Sequence, residues 1–132
     1  MALQTPRVRY EQESKDQLRV PRPIDVFQVQ AVAGTVFTAR NNADFQIESL
    51  VATNVTAVAD YITVHLVPAA GSASVANTIV YQRLVPAKTG VTIFDHNNMG
   101  ILQPGYTLQA LCQLNNSVNL WGFGYDYQGA YS

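Results

Sequence analysis

Two histidines, one cysteine and a few scattered carboxylates are the side chains from which catalysis or metal binding would have to be built in this sequence. Nucleophilic catalysis needs a nucleophile beside a base that a third group holds, and only His65 and His96 supply an imidazole. Neither stands near a Gly-x-Ser-x-Gly elbow, which the chain lacks. Cys112 ends the apolar run Leu108-Gln109-Ala110-Leu111-Cys112, the setting of a structural thiol, and with no second cysteine it makes neither an internal disulfide nor a thiolate metal site. Asp95-His96-Asn97-Asn98 is the one dense polar cluster outside the N-terminal segment. Oxygen and imidazole ligands in a loop can hold a divalent cation, but Asx-rich loops recur as turns because their side chains bond nearby backbone, so a turn is expected. The body carboxylates, Asp44, Glu48, Asp60, Asp95 and Asp126, show no spacing that marks a hydrolytic pair. The expectation is therefore no catalytic residue, no metal and no cofactor.

Gly122-Phe123-Gly124-Tyr125-Asp126-Tyr127 begins like a dinucleotide fingerprint, but Tyr127 stands where the third glycine belongs and no helical pattern follows. The aromatics Trp121, Phe123, Tyr125 and Tyr127 alternate instead on one face of a strand, with the glycines between them. Such a face serves as a stacking platform, as core packing or as a subunit interface. Stacking platforms for nucleic acid sit among Lys and Arg, whereas residues 97–125 carry no charge at all, so packing or an interface is expected.

The elements that would position these groups are short β-segments. From Ile24 onward, runs rich in Val, Ile, Thr, Phe and Tyr are separated by Gly, Asn, Pro and Ser, which predicts strands over 24–32, 35–39, 45–54, 60–67, 78–85, 91–95, 106–113 and 118–127. In Asp60-Tyr61-Ile62-Thr63-Val64-His65-Leu66 the alternation puts Ile62, Val64 and Leu66 on a core face and Tyr61, Thr63 and His65 outward. No fixed period repeats. Strand spacing of about 8 to 12 residues is that of an all-β antiparallel sandwich, immunoglobulin-like or jelly-roll-like.

Of 132 residues, 48% are hydrophobic and only 13% charged, about half the usual charged share. Nine of the seventeen formal charges fall within residues 1–25, where Pro6, Pro21 and Pro23 also block continuous helix. This break predicts an extended arm over 1–23 and a sandwich domain over 24–132. A net charge of −1 provides no field to attract nucleic acid or an anionic membrane. Polar side chains interrupt every apolar stretch before spanning length, and the first residues lack the pattern of a secretory signal, so a chain made and used without export is expected. Between Tyr61 and Tyr125 only Arg83, Lys88 and Asp95 are charged, a composition that suits a subunit interface better than a lone monomer.

Three runs in order, Phe45 to Asn54, Ile62 to Pro68 and Leu102-Gln103-Pro104-Gly105-Tyr106-Thr107-Leu108-Gln109-Ala110, resemble small β-sandwich structural proteins of tailed bacteriophage virions. The resemblance implies a virion component without catalytic residues. The foremost role is a capsid cement or decoration protein bound to the major capsid protein, with a tail, baseplate or fibre subunit as the alternative. A homo-oligomer, a trimer before others, is expected. In that picture Arg7, Arg9, Tyr10, Arg19 and Arg22 of the arm contact neighbours by strand addition or charge pairing, while the sandwich buries Leu50, Ile62, Val64, Leu66 and Leu108. A carbohydrate-binding module using Trp121 and the tyrosines is a further alternative.

Overall fold

The computed structural model describes residues 19–98 and 100–127. Among the described residues nine strands form: β1 (Arg19–Gln28), β2 (Gly34–Thr38), β3 (Asp44–Asn54), β4 (Asp60–Val67), β5 (Thr78–Val85), β6 (Gly90–Phe94), β7 (Gly100–Leu102), β8 (Thr107–Cys112) and β9 (Val118–Tyr127). One sheet runs β1-β9-β3-β6, with β7 also pairing β3, and the other runs β2-β8-β4-β5. Every pairing is antiparallel.

The connectivity is that of a ribbon folded on itself. The first strand pairs with the last, β2 with β8, β3 with β6 and β7 together, and β4 with β5. Successive pairs alternate between the two sheets, which is the jelly-roll order and decides between the two sandwich types the sequence allows. Of the prolines and glycines expected between strands, Pro68, Gly71, Pro86, Pro104 and Gly105 fall outside the strands, whereas Gly90 opens β6, paired with Thr53 of β3.

Phe45, Ile47, Leu50, Ile62, Val64, Leu102, Leu108 and Leu120 fill the space between the sheets, each wholly buried. Leu50, Ile62, Val64 and Leu108 are where alternation places them, and Leu66 is half-buried against the same cluster. At about 25 cal/mol per Å² of apolar area removed from water, each fully buried Leu or Ile contributes roughly 1.5–3 kcal/mol before entropy is counted.

Three expectations change. Thr63 and His65, placed outward by alternation, are buried at 8% and 5% exposure. Residues 72–78 cross that face of β4, where His65 Nδ1 lies 3.1 Å from each of Ser74 O, Asn77 Oδ1 and Thr78 Oγ1, and the Gln82 amide donates to Thr63 Oγ1 at 3.1 Å. His65 is thus a satisfied interior histidine and not a surface or interface one. A strand not expected, β7, is added at Gly100–Leu102, too short to show a period. Finally, β1 begins at Arg19, so residues 19–23 of the expected arm are already hydrogen-bonded to β9.

Candidate interaction surface

Strand β9 lies between β1 and β3, and its side chains alternate cleanly. Val118, Leu120, Gly122, Gly124 and Asp126 are buried inward, whereas Trp121 and Phe123 stand outward at 47% and 40% exposure with Tyr125 and Tyr127 half-buried beside them. The four aromatics singled out from the sequence therefore share one surface and do not enter the core.

The glycines between them are a packing requirement. A bulge in β3 between Ile47 and Ser49 pushes the strand against β9, so a Cβ on Gly122 would sit 1.9 Å from Ser49 O, and one on Gly124 2.2 Å from Gln46 O and 2.5 Å from Phe45 Cζ. Only glycine fits at both positions.

Register extends the surface across neighbouring strands, because directly paired residues share a face. Pro21 lies opposite Tyr125 and Pro23 opposite Phe123 on β1, while Val51 faces Trp121 on β3. On β7, Ile101 pairs with Gln46, which itself pairs with Tyr125, and is 56% exposed. The rings are ordered: Phe123 and Tyr125 meet edge to face at 6.0 Å, the Tyr127 hydroxyl donates to Gln46 Oε1 at 3.0 Å, and the Arg19 guanidinium lies 4.3 Å from the centre of the Tyr125 ring. Arg19 and Asp44, on either side of Tyr127, mark the charged end of this face. Ile101, Pro21 and Pro23 were not legible as part of the surface, since only register brings them to it.

Of the arm residues, Arg7, Arg9 and Tyr10 lie outside the described residues. Arg19 is on the aromatic face. Arg22 turns the other way: its Nη1 lies 3.6 Å from Asp126 Oδ1, its Nη2 donates to Thr38 O at 3.4 Å, and its guanidinium lies 4.3 Å from the centre of the Phe37 ring. Arg40 Nε completes the arrangement, donating to Asp126 Oδ2 at 3.1 Å. Asp126 is wholly buried, and these two cations are what allow a carboxylate there.

The other candidate groups are structural. Asp95 and Asn98 close their own turn, the Asp95 amide donating to Asn98 Oδ1 at 2.8 Å and the Asn97 amide to Asp95 Oδ1 at 2.9 Å. Cys112 is buried with its thiol donating to Leu114 O at 3.0 Å. Burial pushes that thiol's pKa up, and the nearby Asp60 charge adds to the effect against a hydrogen bond from Ser117. Asp60, also buried, accepts from the amides of Tyr61, Gln113 and Leu114 and from the Ser117 hydroxyl, pinning the β8–β9 turn to the start of β4. Burial alone would raise its pKa, but these four donors outweigh it and hold the carboxyl below its ordinary value. Among the described residues no group of three or more His, Cys, Asp or Glu is placed to hold a metal ion, and no helix is long and apolar enough to cross a membrane.

No protein-family model matches the sequence, and no curated protein matches it. Two solved structures match parts of the chain, the first of them at the level of fold. One is the subunit of Bacillus endospore appendages, described as a novel family of disulfide-linked pili, with a TM-score of 0.53 and 11% identity over 83% of this chain and 88% of that one. The other is from infectious bursal disease virus, Gx strain, with a TM-score of 0.42 and 15% identity over 86% of this chain and 33% of that one. The pilus likeness places the chain among small antiparallel β-sandwiches of the same fold and goes no further than fold.

Proposed function

We propose that this chain is a non-enzymatic structural subunit of a larger assembly, and specifically a capsid cement or decoration protein of a virion that binds neighbouring shell subunits through its sandwich and N-terminal arm. The observation that supports it most is the outer face of the β1-β9-β3 sheet, where Trp121, Phe123 and Ile101 stay exposed with no formal charge among them. Interfaces are enriched in such aromatics and depleted in Lys, Glu and Asp. Many weak contacts repeated over symmetry-related copies add by avidity, so a modest patch suffices.

A second reading, a fibre or tail-type subunit, is favoured by the shared fold with the endospore pilus. The two assemblies would be held together differently. That pilus is described as disulfide-linked, whereas this chain's one cysteine is buried, so under this reading the contacts between copies would not run through that thiol.

The test is mass by size-exclusion chromatography with light scattering across a wide concentration range, for wild type and for Trp121→Ser combined with Phe123→Ser. The expected result is a concentration-dependent oligomer, or capture by capsids with protection against heat, that the double variant loses while its circular dichroism is unchanged. Binding to tails or fibres alone would select the second reading. A monomer whose tryptophan fluorescence changes on adding glycans, with no binding to particles, would replace both by a carbohydrate-binding role.

A further inference from the structure

The outer face of the β1-β9-β3 sheet is laid out in rows across its strands. At one end Arg19, Tyr127 and Asp44 lie side by side, on β1, β9 and β3 in turn. The next row is Pro21, Tyr125, Gln46 and Ile101, and the one after it Pro23, Phe123 and Ser49; beside the β1 bulge, Trp121 faces Val51. With neighbouring strands about 4.8 Å apart, Arg19 and Asp44 stand about 10 Å from each other, on opposite flanks of the β9 aromatic column. The column is central and uncharged, and the end row carries a cation on one side of it and an anion on the other.

That layout is complementary to itself. Two copies packed face to face about a two-fold axis parallel to β9 lay β9 on β9, and β1 of each over β3 of the other. Arg19 then lies over Asp44 of the partner subunit, and Asp44 over Arg19 of the partner subunit. Packed sheets stand about 10 Å apart, a gap that an arginine and a carboxylate reaching toward each other close. Aligned packings depart from parallel by about 30°, an offset that the long arginine side chain spans. Arg19 is exposed, and its stacking on the Tyr125 ring holds it to this face. A two-fold axis running across the strands through Phe123 instead sets Arg19 over Gln28 and Asp44 over Thr53, so neither charge meets its opposite.

The size of the face fits such a pair. From Asn119 to Tyr127 it runs about 26 Å, and β1, β9, β3 and the β6–β7 edge together span about 19 Å. That is roughly 500 Å² per copy and roughly 1,000 Å² for two, the size at which specific interfaces begin. We infer that the occupant of this face is a second copy of the chain, packed about a two-fold axis parallel to β9, with two Arg19–Asp44 pairs closing one end of the contact. The inference rests on the assembly reading, in which this face is a contact surface, and names what the surface contacts.

The experiment compares full-length wild type with Arg19→Asp and Asp44→Arg, each alone and the two mixed, reading the dimer dissociation constant by analytical ultracentrifugation at low salt. Wild type is expected to form a dimer. Either variant alone sets like charges over each other in both pairs and should weaken that dimer about tenfold; in the equimolar mixture both pairs are opposite in charge again, and the wild-type affinity should return. Variants that dimerise as wild type does, or a mixture no tighter than its components, overturn the inference. A second arm leaves Asp44 untouched: one population carries p-benzoylphenylalanine in place of Phe123, the other is unmodified but labelled with ¹⁵N, and irradiation should join position 123 to residues 121–125 of the labelled chain. Cross-links to any other surface, or none, overturn it as well. An oligomer lost in Trp121→Ser combined with Phe123→Ser but indifferent to the charge variants sinks this packing and leaves the assembly reading standing. So does a monomer that capsids still capture, whereas a monomer that no particle captures sinks the reading too.

Discussion

Replacing Gly122 by alanine adds one methyl group to the inner side of β9 and should cost about as much as a core truncation. The new Cβ would lie 1.9 Å from Ser49 O, 2.9 Å from Ser49 C and 3.0 Å from Leu50 Cα. All three are backbone atoms, so no side chain can swing aside, and β3 and β9 must part by roughly 1 Å before the closest contact reaches even 3.0 Å. Overpacking of this kind costs about 1–3 kcal/mol. Separation also weakens about two ladder hydrogen bonds at roughly 1 kcal/mol each. Alanine recovers about 0.5–1 kcal/mol by restricting the unfolded chain, leaving a net loss of about 2–4 kcal/mol. Urea unfolding followed by circular dichroism measures it, with Phe123→Ala as the neighbour control, since its ring is outward and its loss should cost under about 1 kcal/mol. If Gly122→Ala unfolds within about 0.5 kcal/mol of wild type, the close approach of the two strands is not what demands glycine, and the argument fails.

Because the Asp60 carboxyl is held below its ordinary value in the folded state, it contributes stability that is complete above about pH 4 and is lost as pH falls through the folded value. The urea midpoint of wild type should therefore drop as the pH falls below about 4, and Asp60→Asn should be less stable at pH 7 with a visibly flatter slope over that acid range; equal slopes would remove the assignment. Asp126→Asn should lose about 1–3 kcal/mol at neutral pH, a figure reduced because Arg40 and Arg22 are partly exposed, and high salt should shrink the difference only slightly. The Cys112 thiol should resist a thiol reagent such as DTNB in the native protein and react stoichiometrically in denaturant; fast native labelling would contradict its burial.

Much of the fold was legible because alternation and punctuation are local signals. The run Asp60 to Val67 reads as a strand from its own residues, and β4 occupies those positions. What alternation cannot show is what lies over a strand: His65 is covered by residues 74–78 at the end of the β4–β5 connection, and Thr63 accepts from the Gln82 amide of β5. Strand β7 escaped because three residues carry no period, and Ile101 escaped with it. The aromatic stripe was visible as a stripe, but whether it faced core or solvent was decided by Gly122 and Gly124. With no side chain of their own on the inner face, they let β3 close onto β9 and leave the rings on the outside. Asp126 and Asp60 read as ordinary charges; only the fold reveals that each is enclosed by donors from segments remote in the chain.

The placement of the charges sharpens what composition suggested. After residue 25 the chain has eight formal charges, and Asp60 and Asp126 are inside while Arg40 is committed to Asp126. Five remain: Arg83 on β5, Lys88 and Asp95 in connecting segments, and Asp44 and Glu48 on β3. None of the five pairs directly with Phe123 or Trp121, whose cross-strand partners are Pro23, Ser49 and Val51. The fold gains little from rings left 40% and 47% exposed on that face, since the space between the sheets is filled without them. Aromatic area left part-exposed, with Pro23 and Val51 as cross-strand neighbours, has its use in contact with something else. That is why the double serine variant separates assembly from stability: a surface kept for a partner should lose the partner and keep its melting point, whereas a surface kept for the fold would lose both.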